Sequence, residues 1–258
     1  MDQNNKEEKI PRIHGTLRAH SIELPEVIWK APGMIVLGRR IKSLLFSTDV
    51  AIIRNCNADA VLAVYPFTPQ QAISDAIIKA SSIPVFVGVG GGTTKGIRSA
   101  NIAQDAEAQG AYGVVVNSPM SNTNIKLIKR VIDIPIVVTV IDEEEVQERL
   151  GAGATILNVA NGKNTAETVR KIRKRFPNVP IIASGGKTDQ SILETIEAGA
   201  NAITYTPPSN AEIFSKMMTE YRNEKTKNPE ITLETLDSKQ DEIELLLDIL
   251  SQGHLSHS

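Results

Sequence analysis

From Leu44 to Tyr205 the chain repeats one pattern eight times: a short apolar run, a polar or glycine-rich ending, then a stretch with helical spacing. The last repeat, VPIIASGGKTDQSILETIEAGANAITYTPPSN, holds a buried strand, the Gly185-Gly186 turn, an amphipathic helix, a second turn and the next strand. Strands that are apolar on both faces and alternate with helices form a parallel sheet covered by helices. Eight such units predict an α/β protein, a closed (β/α)₈ or TIM barrel, with its chemistry at the strand C-terminal ends. The apolar runs place strands near 43–48, 60–65, 84–89, 113–117, 135–141, 154–159, 180–184 and 202–206. Helices are expected near 50–56, 70–81, 96–109, 121–132, 143–150, 165–175, 188–198 and 210–222.

The flanks depart from this rhythm. Residues 1–10 form a charged polar arm, and 11–40, with Trp29 and a Pro32-Gly33 turn, are too irregular for a barrel unit. The expected domains are therefore an arm and extension over 1–40, a barrel over 41–222, and a linker with a terminal helix over 223–258. The extension would close one barrel mouth or reach a partner subunit. Ile243, Leu246, Leu247 and Leu250 give the terminal helix, near 239–251, one apolar face. A helix that short is marginal alone, so the face must dock on its own barrel or on a neighbour, which leaves a homo-oligomer open.

Composition narrows the class. A length of 258 residues suits one barrel with tails, and 28 basic against 30 acidic residues leave a net charge of −2. That balance supplies no bulk attraction for nucleic acid or a membrane. Cys56 is the single cysteine, so no intrachain disulfide forms. No apolar run approaches the ~18 residues of a membrane span, and MDQNNKEEKI lacks the apolar core of a signal peptide. The expectation is a cytoplasmic protein.

Polar residues recur at the expected strand ends: Ser47-Thr48-Asp49, Tyr65 and Phe67, Asn117-Ser118, Thr139 and Asp142, Asn158 and Asn161, Ser184 to Lys187, and Thr204-Tyr205-Thr206. The run GVGGGTTKG, from Gly88 to Gly96, lies between a strand and a helix, where backbone N–H groups can cradle an anion. Gly90, Gly91, Gly92 and Thr93 are candidates for that cradle, with Lys95 as a mobile cation; a plain turn is the competing reading. Neither the P-loop nor the dinucleotide spacing is met. Gly185, Gly186 and Lys187 form a second candidate phosphate loop, joined by Ser184, Thr206 and Ser209. Pro207 and Pro208 remove two donors there, and Ser209 with Glu212 forms a capping box that brings a carboxylate to the same helix start. Asn117 and Asn158 are further ligand candidates.

Asp49 and Asp142 end the first and fifth strands, opposite each other in an eight-stranded barrel, and could act as general base and acid. This placement is similar to the aspartate pair of the histidine-biosynthesis barrels. Both also stand where a helix cap is needed, so a purely structural role remains open. All four histidines (His14, His20, His254, His257) lie outside the barrel units, no strand end offers a zinc cluster, and no cofactor or metal is predicted.

The stretches PRIHGTLRAH, GRRIKSLLFSTDVAIIRN, VYPFTP, VGGGTTKG and ETIEAGANAITYTPPSN resemble a family of bacterial TIM-barrel proteins that carry the generic label hydrolase. The resemblance covers most of 11–215 and implies the fold and a bacterial cytoplasmic protein, with no catalytic residue to carry over. AGANAITYTPPSNAEIF is similar to the last unit of the glycerol-3-phosphate-responsive antiterminator, a phosphate-binding barrel. Two functions follow as expectations: an enzyme acting on a small phosphorylated metabolite, by hydrolysis, isomerisation or lysis, or a non-catalytic sensor of such a ligand.

Overall fold

The computed structural model describes Ile13 and residues 21–227, with the helical backbone alone for 224–227. The polar arm, the four histidines and the expected terminal helix lie outside the described residues. A short hairpin, β1 (Met34–Val36) and β2 (Arg39–Ile41), precedes the barrel strands β3 (Ser43–Phe46), β4 (Ala60–Ala63), β5 (Val85–Gly90), β6 (Gly113–Val116), β7 (Ile136–Val140), β8 (Ile156–Val159), β9 (Ile181–Ser184) and β10 (Ala202–Tyr205). The eight barrel strands are all parallel and close in the order β10-β3-β4-β5-β6-β7-β8-β9. Closure is the pairing of Thr204 with Leu44 and of Tyr205 with Leu45. The helices between strands are α1 (Val50–Arg54), α2 (Gln71–Ala80), α3 (Gly96–Ala108), α4 (Asn122–Lys129), α5 (Val146–Ala152), α6 (Thr165–Arg175) and α7 (Asp189–Glu197). This is the expected (β/α)₈ barrel.

The strand period of 2 explains how one apolar run fills two cores. Leu45, Val61, Val87, Val114, Val138, Leu157, Ala183 and Ile203 face the helices and join one cluster. Their alternates Leu44, Leu62, Phe86, Val115, Val137, Ile156, Ile182 and Ala202 fill the barrel interior. The hairpin adds Met34, Val36 and Ile41 to that interior cluster. Gly33 N–H donates to Asn201 O at 2.8 Å, just ahead of β10, so the hairpin sits at the strand N-terminal ends. Of the two expected roles for the extension, its described part packs at this lower mouth.

Two local expectations differ in detail. Helix α5 begins at Val146, not near 143. Asp142 Oδ1 accepts from Glu144 N–H and Glu145 N–H, and Glu145 Oε1 accepts from Ile141 N–H. These carboxylates satisfy the backbone in a turn, so the helix starts after them. The chain divides into two compact units, Met1–Pro207 and Pro208–Ser258. In the second, α8 (Asn210–Lys227) runs past the expected end at Arg222. The sequence offers no breaker before Pro229. Its start is a full capping box: Glu212 Oε2 accepts from Ser209 N–H and Ser209 Oγ, both at 2.7 Å, and Ser209 Oγ accepts from Glu212 N–H. These two donors hold the Glu212 carboxyl below its ordinary value.

Candidate functional site at the barrel mouth

Each interior apolar residue is followed two positions later by a residue on the same face nearer the strand end. On five strands that residue is small and polar: Asn117 above Val115, Thr139 above Val137, Asn158 above Ile156, Ser184 above Ile182, and Thr204 above Ala202 with Thr206 two positions further on. They line a cavity of about 270 Å³ whose floor and wall are Leu62, Val64, Val115 and Phe46. An adjoining cavity of about 380 Å³ shares Val64 and Asn117. One side of it is the loop Tyr65–Pro69 and the other is the glycine run from Gly88 to Thr94. Among the described residues no charged side chain lines either cavity.

A directed hydrogen-bond chain crosses three strands of the inner cavity. Asn158 Nδ2 donates to Thr139 Oγ1 at 3.1 Å, and Thr139 Oγ1 donates to Asn117 Oδ1 at 3.0 Å. Asn158 is 8% exposed. Thr204 Oγ1 is buried and meets no hydrogen-bond partner among the described residues.

The glycine run is a tight hairpin. Gly91 N–H donates to Thr94 O at 3.1 Å and Thr94 N–H to Gly91 O at 3.2 Å, while Gly96 N–H is capped by Asn124 Oδ1. Gly91 N–H is thus already engaged. Gly92 and Thr93, at the tip, have N–H groups with no acceptor among the described residues. Gly92 reaches this turn at φ +56, a region glycine enters at little cost. Gly90 is required for space: a Cβ there would lie 2.3 Å from Ser99 Oγ and 2.8 Å from Thr94 O.

The candidates therefore separate by place. Gly90, Gly91, Gly92, Thr93 and Asn117 meet in the outer cavity, and Asn117, Asn158, Ser184 and Thr206 in the inner one. Lys95 is exposed one residue beyond Thr94 and makes no hydrogen bond or ion pair among the described residues. Gly185 is buried, with Ile192 and Ile203 2.8 Å from where its Cβ would stand, and Gly186 and Lys187 are exposed on the turn into α7; none of the three lines either cavity. The start of α7 is already capped by Thr188 and Ser191. Ser209 belongs to the second unit. Asp49 and Asp142 lie three and two residues beyond the ends of β3 (Phe46) and β7 (Val140), which are opposite in the barrel order. Neither lines either of these two cavities, and Asp49 Oδ1 caps α1 by accepting from Ala51 N–H and Ile52 N–H. Phe46 and Val64 escaped the search of strand ends because they are apolar; the i+2 rule above the interior residues Leu44 and Leu62 would have found them.

Among the described residues no group of three or more His, Cys, Asp or Glu is placed to hold a metal ion, and no helix is long and apolar enough to cross a membrane. The two other displaced pKa values lie away from both cavities: burial raises the Cys56 thiol and lowers the Arg173 guanidinium.

Fold and site together define a (β/α)₈ barrel whose described mouth residues are uncharged and hydrogen-bonding. No family model matches the chain, and no curated protein matches it in sequence. Solved structures do match in fold. The phosphoenolpyruvate phosphomutase from Streptomyces platensis subsp. rosaceus has a TM-score of 0.56 at 12% identity, over 86% of this chain and 95% of that one. A phosphonopyruvate hydrolase, in complex with oxalate and Mg²⁺, gives 0.53 at 13%, over 83% and 93%. The thiamine phosphate pyrophosphorylase from Pyrococcus furiosus gives 0.51 at 18%, over 64% and 84%. These proteins are TIM-barrel enzymes, and at such identities the likeness is one of fold.

Proposed function

We propose that the chain is an enzyme acting on a small phosphorylated metabolite held at the C-terminal mouth of the barrel. The observation that carries this reading is the convergence of Asn117, Thr139, Asn158, Ser184, Thr204 and Thr206 above an apolar floor, beside a glycine hairpin with two open N–H groups. Pockets of this size with a few convergent polar groups bind small molecules. The barrels similar in fold include enzymes named for phosphorylated or carboxylate compounds. In this reading Gly92 and Thr93 hold the phosphate with Lys95, and Asp49, with Asp142 across the mouth, handles the proton. Hydrolysis, isomerisation and lysis are equally compatible with it, as are a bacterial cytoplasmic setting, self-association, and kinship with the barrels labelled hydrolase.

A second reading, a ligand sensor without turnover, is favoured by one observation: among the described residues no charged side chain lines either cavity. Asp49→Asn separates the two. Phosphorylated metabolites are first screened for binding by calorimetry, then for conversion by ³¹P and ¹H NMR. The enzyme reading expects conversion by the parent, loss of conversion with binding kept in Asp49→Asn, and weaker binding in Lys95→Ala. Binding without conversion of any ligand by the parent would leave the sensor. Unchanged phosphate-ester affinity in Lys95→Ala would refute the assigned phosphate position.

A further inference from the structure

The two cavities differ in what they can stabilise. A phosphate carries close to two negative charges, and burying such a charge without a cationic or densely donating partner is strongly unfavourable. Among the described residues the inner cavity offers neither; its lining there is two amides, four hydroxyls and apolar side chains. The phosphate therefore belongs outside, at the exposed tip of the glycine hairpin.

What the inner cavity offers is a set of unmatched hydrogen-bonding positions. The Asn158–Thr139–Asn117 chain leaves a donor, Asn117 Nδ2, at one end and an acceptor, Asn158 Oδ1, at the other. Reversing both amides would exchange these roles and still leave one of each. The Ser184 and Thr206 hydroxyls make no hydrogen bond among the described residues, and Thr204 Oγ1 is buried without one. A buried, unpartnered hydroxyl is costly and rare in native proteins. A staggered step of χ1 moves the Thr204 hydroxyl to a different position about Cβ and can turn it toward the cavity that Thr204 lines. Scattered donors and acceptors of this kind are matched by hydroxyl groups, each of which donates and accepts. At about 30 Å³ per water molecule, the 270 Å³ cavity holds the equivalent of roughly nine waters, room for a four- or five-carbon polyol segment.

We propose that the inner cavity binds the hydroxyl-bearing end of a phosphorylated polyol or sugar, inserted into the barrel with its phosphate left at the glycine hairpin. This rests on reading the mouth as a site for a phosphorylated ligand, and names the other half of that ligand. Thr204 is then a specificity-determining residue whose hydroxyl is paired only when the ligand is bound.

The test sets ribitol, xylitol and arabinitol 5-phosphates against n-pentyl phosphate, which has the same chain length without hydroxyls, by calorimetry on the full chain. At least one pentitol phosphate should bind more than about tenfold tighter than pentyl phosphate, as expected for two or more added hydrogen bonds. Thr204→Val keeps the shape and deletes the hydroxyl. It should cut that preference about fivefold, leave pentyl phosphate affinity unchanged, and hold or raise the melting temperature, which a merely structural hydroxyl would not do. Ser184→Ala provides an independent loss of preference if the valine variant misfolds. The proposal is overturned if pentyl phosphate binds as tightly as every pentitol phosphate, or if both variants keep the parent's preference. If no phosphate ester binds, the phosphate half of the reading fails by itself. Free pentitols then decide the inner cavity: binding lost in Thr204→Val upholds it, and no binding overturns it.

Discussion

Substituting Gly90 by alanine should unfold much of the barrel's margin of stability, although glycine runs at strand ends are usually discussed as ligand loops. The added Cβ would lie 2.3 Å from Ser99 Oγ, 2.7 Å from Met120 Cε and 2.8 Å from Thr94 O. None of these atoms has room to retreat, since Ser99, Met120 and Thr94 are 0%, 1% and 4% exposed. The methyl also falls on the Ser99 Oγ–Thr94 O hydrogen bond of 3.0 Å, which holds the hairpin to the first turn of α3. Overpacking of a dense core costs about 1–3 kcal/mol, and leaving a buried hydroxyl and carbonyl unpaired costs about 1–3 kcal/mol more. The expected loss is about 4 kcal/mol, from a total that for a domain is about 5–15 kcal/mol. In urea, with a slope near 3 kcal/mol per molar, the midpoint should fall by roughly 1.3 M. Two neighbours calibrate the reasoning. Gly88→Ala meets its nearest atom at 3.4 Å and should be close to silent. Gly92→Ala meets nothing within 4 Å but sits at φ +56, so it should lose only about 1–2 kcal/mol from the left-handed backbone. A Gly90→Ala midpoint within error of Gly88→Ala, or above that of Gly92→Ala, would refute the steric account.

Arg173 joins three chain segments below the barrel, donating to the carbonyls of Pro177 at 2.6 Å, Val179 at 2.9 Å and Gly199 at 2.7 Å and to Asn201 Oδ1 at 2.9 Å. Arg173→Ala should destabilise by about 3 kcal/mol in chemical denaturation, with Arg173→Lys recovering less than half because an ammonium cannot span the same acceptors. The Glu212 carboxyl is held below its ordinary 4.5 by the Ser209 N–H and hydroxyl. Its capping contribution is therefore full above 4.5 and lost as pH falls through the lower folded value. A ¹³C titration of that carboxyl should show the depression, and Ser209→Ala should shrink it.

The architecture could be read from local pattern because each strand of a parallel barrel is buried on both faces, which makes its apolar run continuous and its ends abrupt. The eight barrel strands begin and end within about two residues of the positions read from those runs. The hairpin over Met34 to Ile41 could not be read this way. Its two-residue turn is Leu37-Gly38, with φ of 45 and 82, and leucine gives no turn signal where Asn-Gly would have. What admits it is the barrel's lower opening, which buries Met34, Val36 and Ile41.

The site divides in the same manner. Polar residues at strand ends were visible along the chain, but not which of them meet. Asn117, Thr139 and Asn158 are 22 and 19 residues apart and come within hydrogen-bond distance only because parallel register sets their strands side by side. Nor could sequence decide between a carboxylate that caps a helix and one that faces a ligand, since in a βα unit the strand end and the helix start are the same few residues. Asp49 and Asp142 fell in that ambiguity, and the structure puts their Oδ1 atoms on backbone N–H groups. Periodicity by itself determined the barrel and which end carries the polar residues. Closure of the eight strands decided which of the described polar groups are paired and which are left open.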